Sequence, residues 1–487
     1  MEKFKTIVKK NENIIILFIL VLLLLGRCFA YSISANDELW NFQNIYKMLN
    51  GYKLYKDANV IITPLFFYIS YFFVKILGGN LLAYRIYNLF LFTVFYFIIY
   101  KILKKLCKST LVYILGFSLI ISSTLKLVPD GASYNVLSLI FILLGIFLNL
   151  FWFESKQKHN IIQSIIMFLV FWTKQNIGIY YILGIFIFEF LYKDFKSVLK
   201  QILLLGIYFV IGCTILILQG IFTDFINYAI LGIIDFSNNN LDINIIDIIE
   251  LSLYIIFLFI TIPLICFKLK PHEIEKNRLI FLSSLSIMLL LISYPIFNSY
   301  HKILAELIVK ITLIYIFELF RFFTIKNKKV LLITWIMTGI VYLCFIIESL
   351  YYFSLWIQYM KSNTFYTATN AFYGINISEE NYNKNKIIEE YISSSEKNVI
   401  VLGKDAAMYM IPLKRSNGVM DLPFLGNLGK DGEDGLISKI NELKNSEFLI
   451  INNPNDLFWQ ESKKIYNYII DNLTKKGEIE NFYIYTN

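Results

Sequence analysis

The chain has 487 residues, of which 57% are hydrophobic, 17% aromatic and only 17% charged, with a formal net charge of +9. Soluble globular chains are roughly 45–50% apolar and about 25% charged. With 22 Gly, 8 Pro and 5 Cys, this composition excludes a disordered chain, a collagen-like chain and a disulfide-stapled secreted domain. A soluble particle of this size has too little polar surface to cover so much apolar side chain, so the chain reads as an integral membrane protein.

Residues 1–12 are basic and lead into an apolar run long enough to cross a bilayer. No convincing small-residue cleavage site precedes Asn36-Asp37-Glu38, so an uncleaved first helix is expected. Stretches of roughly 20 mostly apolar residues mark spans. They fall at about 13–33, 81–103, 110–128, 132–153, 161–174, 177–192, 199–219, 245–267, 279–297, 302–323 and 330–350. A shorter apolar stretch, 64–77, opens on Pro64, carries Lys75 and ends at Gly78-Gly79.

Charge decides whether that stretch crosses. Lys and Arg gather at 3–10, 101–108, 156–158, 193–200, 268–278 and 321–329. If 64–77 stays in the outer interface, every cluster falls on one side of the membrane, as cytoplasmic loops require. The reading is therefore eleven spans, with the N-terminus cytoplasmic and the polar tail extracytoplasmic. The positive surplus belongs to loops beside the bilayer, and no nucleic-acid partner is implied. The five cysteines, Cys28, Cys107, Cys213, Cys266 and Cys344, lie in or beside apolar runs and read as small hydrophobes.

From about residue 351 the composition becomes that of a soluble domain, which divides the chain into 1–350 and 351–487. Helical stretches are predicted at 386–394, 435–445 and 461–472, and strands at 398–403, 448–451 and 482–485. This alternation predicts a small C-terminal α/β domain. The Gly-rich acidic stretch 426–435 is a turn or an acceptor-contacting loop. It is not a phosphate loop, since no strand leads into it and its carboxylates would repel phosphate.

The residues that carry chemistry begin with Asp37 and Glu38, just outside the first helix. Paired carboxylates at a membrane boundary lose hydration, which raises their pKa and suits a general base. The competing reading makes Asp37 a cap on an amphipathic helix, 38–49, that lays Leu39, Trp40, Phe42, Ile45, Tyr46 and Leu49 on lipid. On the outer side, where positive charge is scarce, Arg85, Lys174 (with its neighbour Gln175), His301 and Lys302 are candidate contacts for an anionic substrate. Asp130, in Val128-Pro129-Asp130-Gly131, either assists the base or makes a turn. Asp224 and Asp235 read as solvated loop residues.

The order of residues after the first helix carries a resemblance. Asp37-Glu38 is followed by a helix to Met48, by Asn50-Gly51-Tyr52-Lys53-Leu54-Tyr55-Lys56-Asp57, by Thr63-Pro64-Leu65-Phe66-Phe67-Tyr68, and by Tyr84-Arg85-Ile86-Tyr87-Asn88 opening the next span. This resembles the first outer loop of the GT-C superfamily of polyprenyl-phosphate-sugar-dependent glycosyltransferases, in the branch of the protein O-mannosyltransferases and the lipid A aminoarabinose transferase. The match covers roughly residues 10–105, and the remainder agrees in having many spans followed by an outer domain.

The resemblance implies a GT-C-like α-helical polytopic membrane protein with juxtamembrane helices in its first outer loop. It implies an inverting transfer of sugar from a polyprenyl-phosphate donor to a cell-envelope glycan, lipid or protein. Asp37 would be the base and Glu38 would complete the pair, Asp130 would be a second acidic site, and Tyr55 and Asp57 would shape the acceptor entrance. Where the aminoarabinose transferase has Glu-Lys-Pro, this chain has Ile62-Thr63-Pro64 and lacks those charges. No cofactor is implied. Some relatives use a divalent ion, but the first outer loop has no Asp-x-Asp and the chain only three His. The alternative functions are a lipid-linked glycan flippase or transporter, which would show broken helices in matching halves, and a glycan polymerase or ligase.

Overall fold

The structure, a computed structural model, describes residues 2–33, 37–155, 159–192, 194–239, 245–268, 271–293, 299–321, 328–362, 364–367, 370–421 and 423–487. Asn36, the loop charges Lys156, Lys158, Lys193, Lys270 and Lys326, and the ends of the spans predicted at 279–297 and 302–323 lie outside these residues.

The first part of the chain is helical. Helix α1 is Glu2–Phe29, α2 Asp37–Leu49, α3 Leu65–Ile76, α4 Leu81–Leu106, α5 Thr110–Thr124 and α6 Tyr134–Ser155. Then follow α7 Asn160–Thr173, α8 Gln175–Leu191, α9 Phe195–Leu218, the short α10 Phe222–Phe225 and α11 Gly232–Asn239. Helices α12 Ile245–Lys268, α13 Glu273–Leu290, α14 Ser299–Arg321 and α15 Lys328–Ser362 complete it. Among the described residues, seven helical segments are long and apolar enough to cross a membrane: Asn11–Phe29, Leu81–Leu106, Thr110–Leu127, Tyr134–Glu154, Phe195–Leu218, Ile248–Phe267 and Glu273–Ser293. The chain is thus a helical membrane protein with a small C-terminal sheet. Helix α15 runs unbroken past residue 350.

Local chemistry sets several helix ends. The Asn80 side chain caps α4 by accepting from Ala83 N at 2.8 Å, and Lys104 and Lys105 sit in the last turn of α4, where the helix dipole favours cations. Helices α7 and α8 meet at Lys174, whose extended backbone (φ −154°, ψ 115°) ends one helix and opens the next. Gly178 permits this join, because a Cβ there would lie 2.2 Å from the Phe171 Cα.

Helix α2 departs from its lipid-lying reading. Leu39, Phe42 and Ile45 are buried, and so are the polar Glu38, Asn41, Gln43, Asn44 and Lys47. The helix is enclosed by protein, packing against α3, the C-terminal domain and Ala132 (which accepts from Asn41 Nδ2). Asp37 is its first helical residue.

The C-terminal domain begins with the short strands β1 Thr364–Phe365 and β2 Asn376–Ile377, then α16 Glu379–Ser394, β3 Asn398–Leu402 and α17 Ala406–Met410. Helix α18 Gly432–Glu442, β4 Ser446–Ile451, α19 Lys463–Asn472, β5 Thr474–Ile479 and β6 Phe482–Thr486 follow. The four-stranded sheet has the order β3-β4-β6-β5, with β3 parallel to β4 and the other pairs antiparallel. Alternation along the strands sends Val399, Val401 and Leu449 to the α16–α17 face, and Ile400, Leu402, Phe448 and Ile450 to the α18–α19 face. Strand β5, absent from the sequence reading, is the polar run Thr-Lys-Lys-Gly-Glu-Ile, a composition suited to a sheet edge.

This domain is fastened to the loops between the helices. Lys47 pairs with Asp421 at 2.8 Å, both side chains buried, and donates to the Gly418 and Asp57 carbonyls. Asn59 Nδ2 donates to Asn427 O at 3.2 Å, and Lys430 N to Asn227 Oδ1 at 2.9 Å.

Candidate functional site

A cavity of about 350 Å³ lies where the loops of the helical part meet the C-terminal domain. Asp37, at the start of α2, and Asp130, in the turn before α6, both line it. Gly131 makes their approach possible. It sits at φ +85°, and a Cβ there would lie 3.1 Å from the Glu38 Cβ. The Val128-Pro129-Asp130-Gly131 segment is thus both a turn, with Gly131 N donating to Val128 O, and a wall of the cavity.

Lys174 reaches the same cavity from the α7–α8 junction. Its Nζ donates to Asn135 Oδ1 at 2.7 Å and lies 5.0 Å from the centre of the Tyr134 ring. Tyr134 and Asn135 are carried there by the N-terminus of α6, which Ser133 Oγ caps by accepting from Val136 N. Tyr300 and His301, from the start of α14, complete this side, and the Tyr300 hydroxyl lies 3.2 Å from Ser133 Oγ.

Loss of hydration inside the cavity raises the Asp37 carboxyl to about 6, with the neighbouring Asp130 carboxylate adding to the rise and the Lys174 ammonium opposing it. Asp130 is also raised to about 6, by burial and by the charge of Glu38. At neutral pH, Asp37 is an ionised carboxylate of unusually high basicity. It can accept a proton from a hydroxyl held in the cavity, while Lys174 offers positive charge to an anion in the same space.

No family model matches this chain, and no curated protein matches it.

Several expected site residues are placed elsewhere. Glu38 does not complete a free carboxylate pair. It is buried against Arg85 in a two-pronged ion pair, with Nε–Oε1 at 2.7 Å and Nη2–Oε2 at 2.9 Å. Arg85 Nη1 and Nη2 also donate to the Tyr31 and Ser32 carbonyls, so the guanidinium braces the exit of α1 against α4 rather than lining the Asp37 cavity. Lys302 pairs with Glu250 of α12 and is absent from the cavity wall. Tyr55 is fully buried at φ +65°, its hydroxyl donating to Ile62 O at 2.7 Å. Asp57 Oδ2 accepts from Lys53 N at 2.7 Å and closes the same loop. Both shape the loop and neither lines the cavity.

Gln175 is on the wall, but its amide also bolts loops together, with Nε2 donating to the Ile61 and Ala229 carbonyls at 2.7 and 2.8 Å. The sequence reading missed Trp40 as a wall residue, together with Tyr134, Asn135 and Tyr300. It also missed Phe424, Phe458, Trp459 and Gln460 of the C-terminal domain. Tyr134 and Asn135 adjoin the Pro-Asp-Gly turn and were within reach of that signal. The C-terminal residues had none, since only the docking of the domain brings them to Asp37. Of the stretch 426–435, Gly426 and Asn427 line the cavity. Among the described residues, no three His, Cys, Asp or Glu side chains are grouped to hold a metal ion.

Proposed function

We propose that the protein is an inverting glycosyltransferase of the plasma membrane. It crosses the membrane eleven times with its N-terminus in the cytoplasm, and transfers a sugar from a polyprenyl-phosphate donor to a cell-envelope acceptor on the outer face. The observation that carries the reading is the meeting of Asp37 and Lys174 in one cavity, immediately after the first helix and beneath the C-terminal domain. The topology rests on the one-sided clustering of Lys and Arg. The chemistry rests on the position of Asp37 in a loop that resembles the GT-C pattern.

A polyprenyl-phosphate sugar is already activated, so the protein must deprotonate the acceptor and stabilise the departing phosphate. The Asp37 carboxylate takes the proton of the acceptor hydroxyl as its oxygen attacks the anomeric carbon. The bond from that carbon to the phosphate oxygen breaks, and the electron pair leaves with the polyprenyl phosphate. Lys174 stabilises the negative charge gathering on that oxygen, an effect strengthened where water is scarce. Arg85 and Lys302 are engaged with Glu38 and Glu250 and have no part in this step. A single displacement inverts the anomeric centre, as in other one-step sugar transfers.

The test uses purified protein, a polyprenyl phosphate carrying a labelled sugar, and cell-envelope extract. Free polyprenyl phosphate and a labelled product of inverted anomeric configuration are expected. Intact donor that merely moves between the leaflets of a vesicle would instead make the protein a transporter.

A further inference from the structure

The cavity wall is divided by charge between the two parts of the chain. Asp37, Asp130, Lys174 and His301 all come from the helical part, where the proposed transfer takes place. The C-terminal domain contributes Phe424, Gly426, Asn427, Phe458, Trp459 and Gln460, with no charged side chain among them. Three aromatic rings run along this side. Phe424 and Phe458 have centroids 5.7 Å apart, as do Phe458 and Trp459. Trp459 is 54% exposed, a large apolar surface left open at the mouth of a polar cavity.

The segment bearing Trp459 is firmly held. Glu461 accepts from Phe458 N at 2.5 Å and from Lys404 N at 2.6 Å, and Leu425 N donates to Gln460 O at 2.8 Å. A bridge pairs Phe424 with Glu461. An exposed ring on a braced segment loses little conformational freedom on binding, which is the property of a pre-formed contact surface. Around it the wall offers neutral amides, namely Asn427 and Gln460 from the domain and Asn176 from α8.

We infer that the C-terminal domain is the acceptor-recognition surface, and that the acceptor it recognises is a neutral saccharide, stacked on Trp459 and hydrogen-bonded through the surrounding amides. This deepens the transferase reading and rests on it. A pyranose has an apolar face of C–H groups and a rim of hydroxyls that both donate and accept. It therefore meets an aromatic ring with its face and amides with its edge. Among the described residues, an acidic or phosphorylated acceptor would find no cation lining this side of the cavity, and a peptide would find no exposed strand edge there. A belt of rings at the bilayer surface would account for an exposed Trp459, but not for its place on a cavity wall beside the neutral amides of Asn427, Gln460 and Asn176.

The experiment reads saccharide binding without donor, so its outcome does not depend on transfer. The full chain in lipid nanodiscs, which carry no sugar headgroups, is mixed with a panel of neutral hexose and N-acetylhexosamine di- and trisaccharides. Binding is followed by saturation-transfer NMR. At least one saccharide is expected to receive saturation on the C–H protons of one ring face. Trp459→Ala should weaken that binding about tenfold, as loss of an aromatic contact predicts, and Trp459→Phe should restore most of it. Tyr351→Ala, which removes an exposed ring on α15, serves as the control and should leave binding unchanged. Absence of saturation transfer to every saccharide, or equal transfer to wild type and Trp459→Ala, overturns the inference. Saccharide binding by a protein that cleaves no polyprenyl-phosphate sugar would keep the recognition surface and remove the transferase. Cleavage without saccharide binding would do the reverse.

Discussion

Asp37 and Asp130 share one cavity, and burial holds both carboxyls near 6 rather than in the usual carboxylate range. A base works only when ionised, so turnover should be half-maximal near the Asp37 value of about 6, approach its full value well above it, and be lost below it. Exchange of Asp130 for Asn removes a negative neighbour of Asp37 and eases its ionisation. The acid limb of the pH–rate profile should then move to lower pH, and an unmoved or raised limb would detach Asp130 from Asp37. A second residue-scale prediction concerns Glu38. It is buried with Arg85, and breaking such a pair from one side costs about 3–5 kcal/mol, so Glu38→Gln should lower the thermal midpoint clearly. The exposed Lys475–Glu478 pair is screened by solvent and should contribute little, making Glu478→Gln the contrasting variant. At this scale the sequence disclosed Asp37, Asp130 and Lys174, because each stands out against its neighbours by charge and place. It did not disclose that Arg85 and Lys302 are engaged, because Glu38 and Glu250 lie far from them in the chain and reach them only in the folded protein.

The α7–α8 junction fixes where the Lys174 ammonium stands, and Gly178 is the residue that lets it form. Gly178→Leu would force side-chain atoms into the Phe171 backbone. Overpacking of this kind costs about 1–3 kcal/mol, and the displacement of Lys174 should lower turnover further than the stability loss alone explains. A variant with wild-type turnover and a wild-type melting midpoint would contradict the role given to the junction. Helix positions were legible in the sequence because long apolar runs allow little else in a membrane chain. Each predicted span overlaps a helix among the described residues, seven of them long and apolar enough to cross a membrane, and the C-terminal strands at 398, 448 and 482 were legible from their β-branched and aromatic runs. The environment of α2 was not legible. Its pattern of Leu39, Phe42 and Ile45 suits a lipid surface and a protein interior equally, and only the burial of Asn41, Gln43 and Asn44 separates the two.

For the whole molecule, the one-sided distribution of basic loops is a claim about topology that chemical labelling can read. Lys430→Cys, in the C-terminal domain, should react with a membrane-impermeant maleimide in intact cells, on a background with the native cysteines replaced. Lys276→Cys, at the start of α13, should react only after permeabilisation. The opposite pattern would put the Asp37 cavity on the cytoplasmic side. The docking of the C-terminal domain could not be foreseen, since the Lys47–Asp421 pair joins residues far apart in the chain and neither signals its partner. That docking supplies one wall of the cavity that Asp37 lines. The most direct test of the account is the initial rate of polyprenyl-phosphate release by Asp37→Asn against wild type, with helical content and melting midpoint matched. The account predicts a loss on the order of 10²–10⁴-fold, the range for removing a general base. A rate equal to wild type would remove Asp37 from the chemistry.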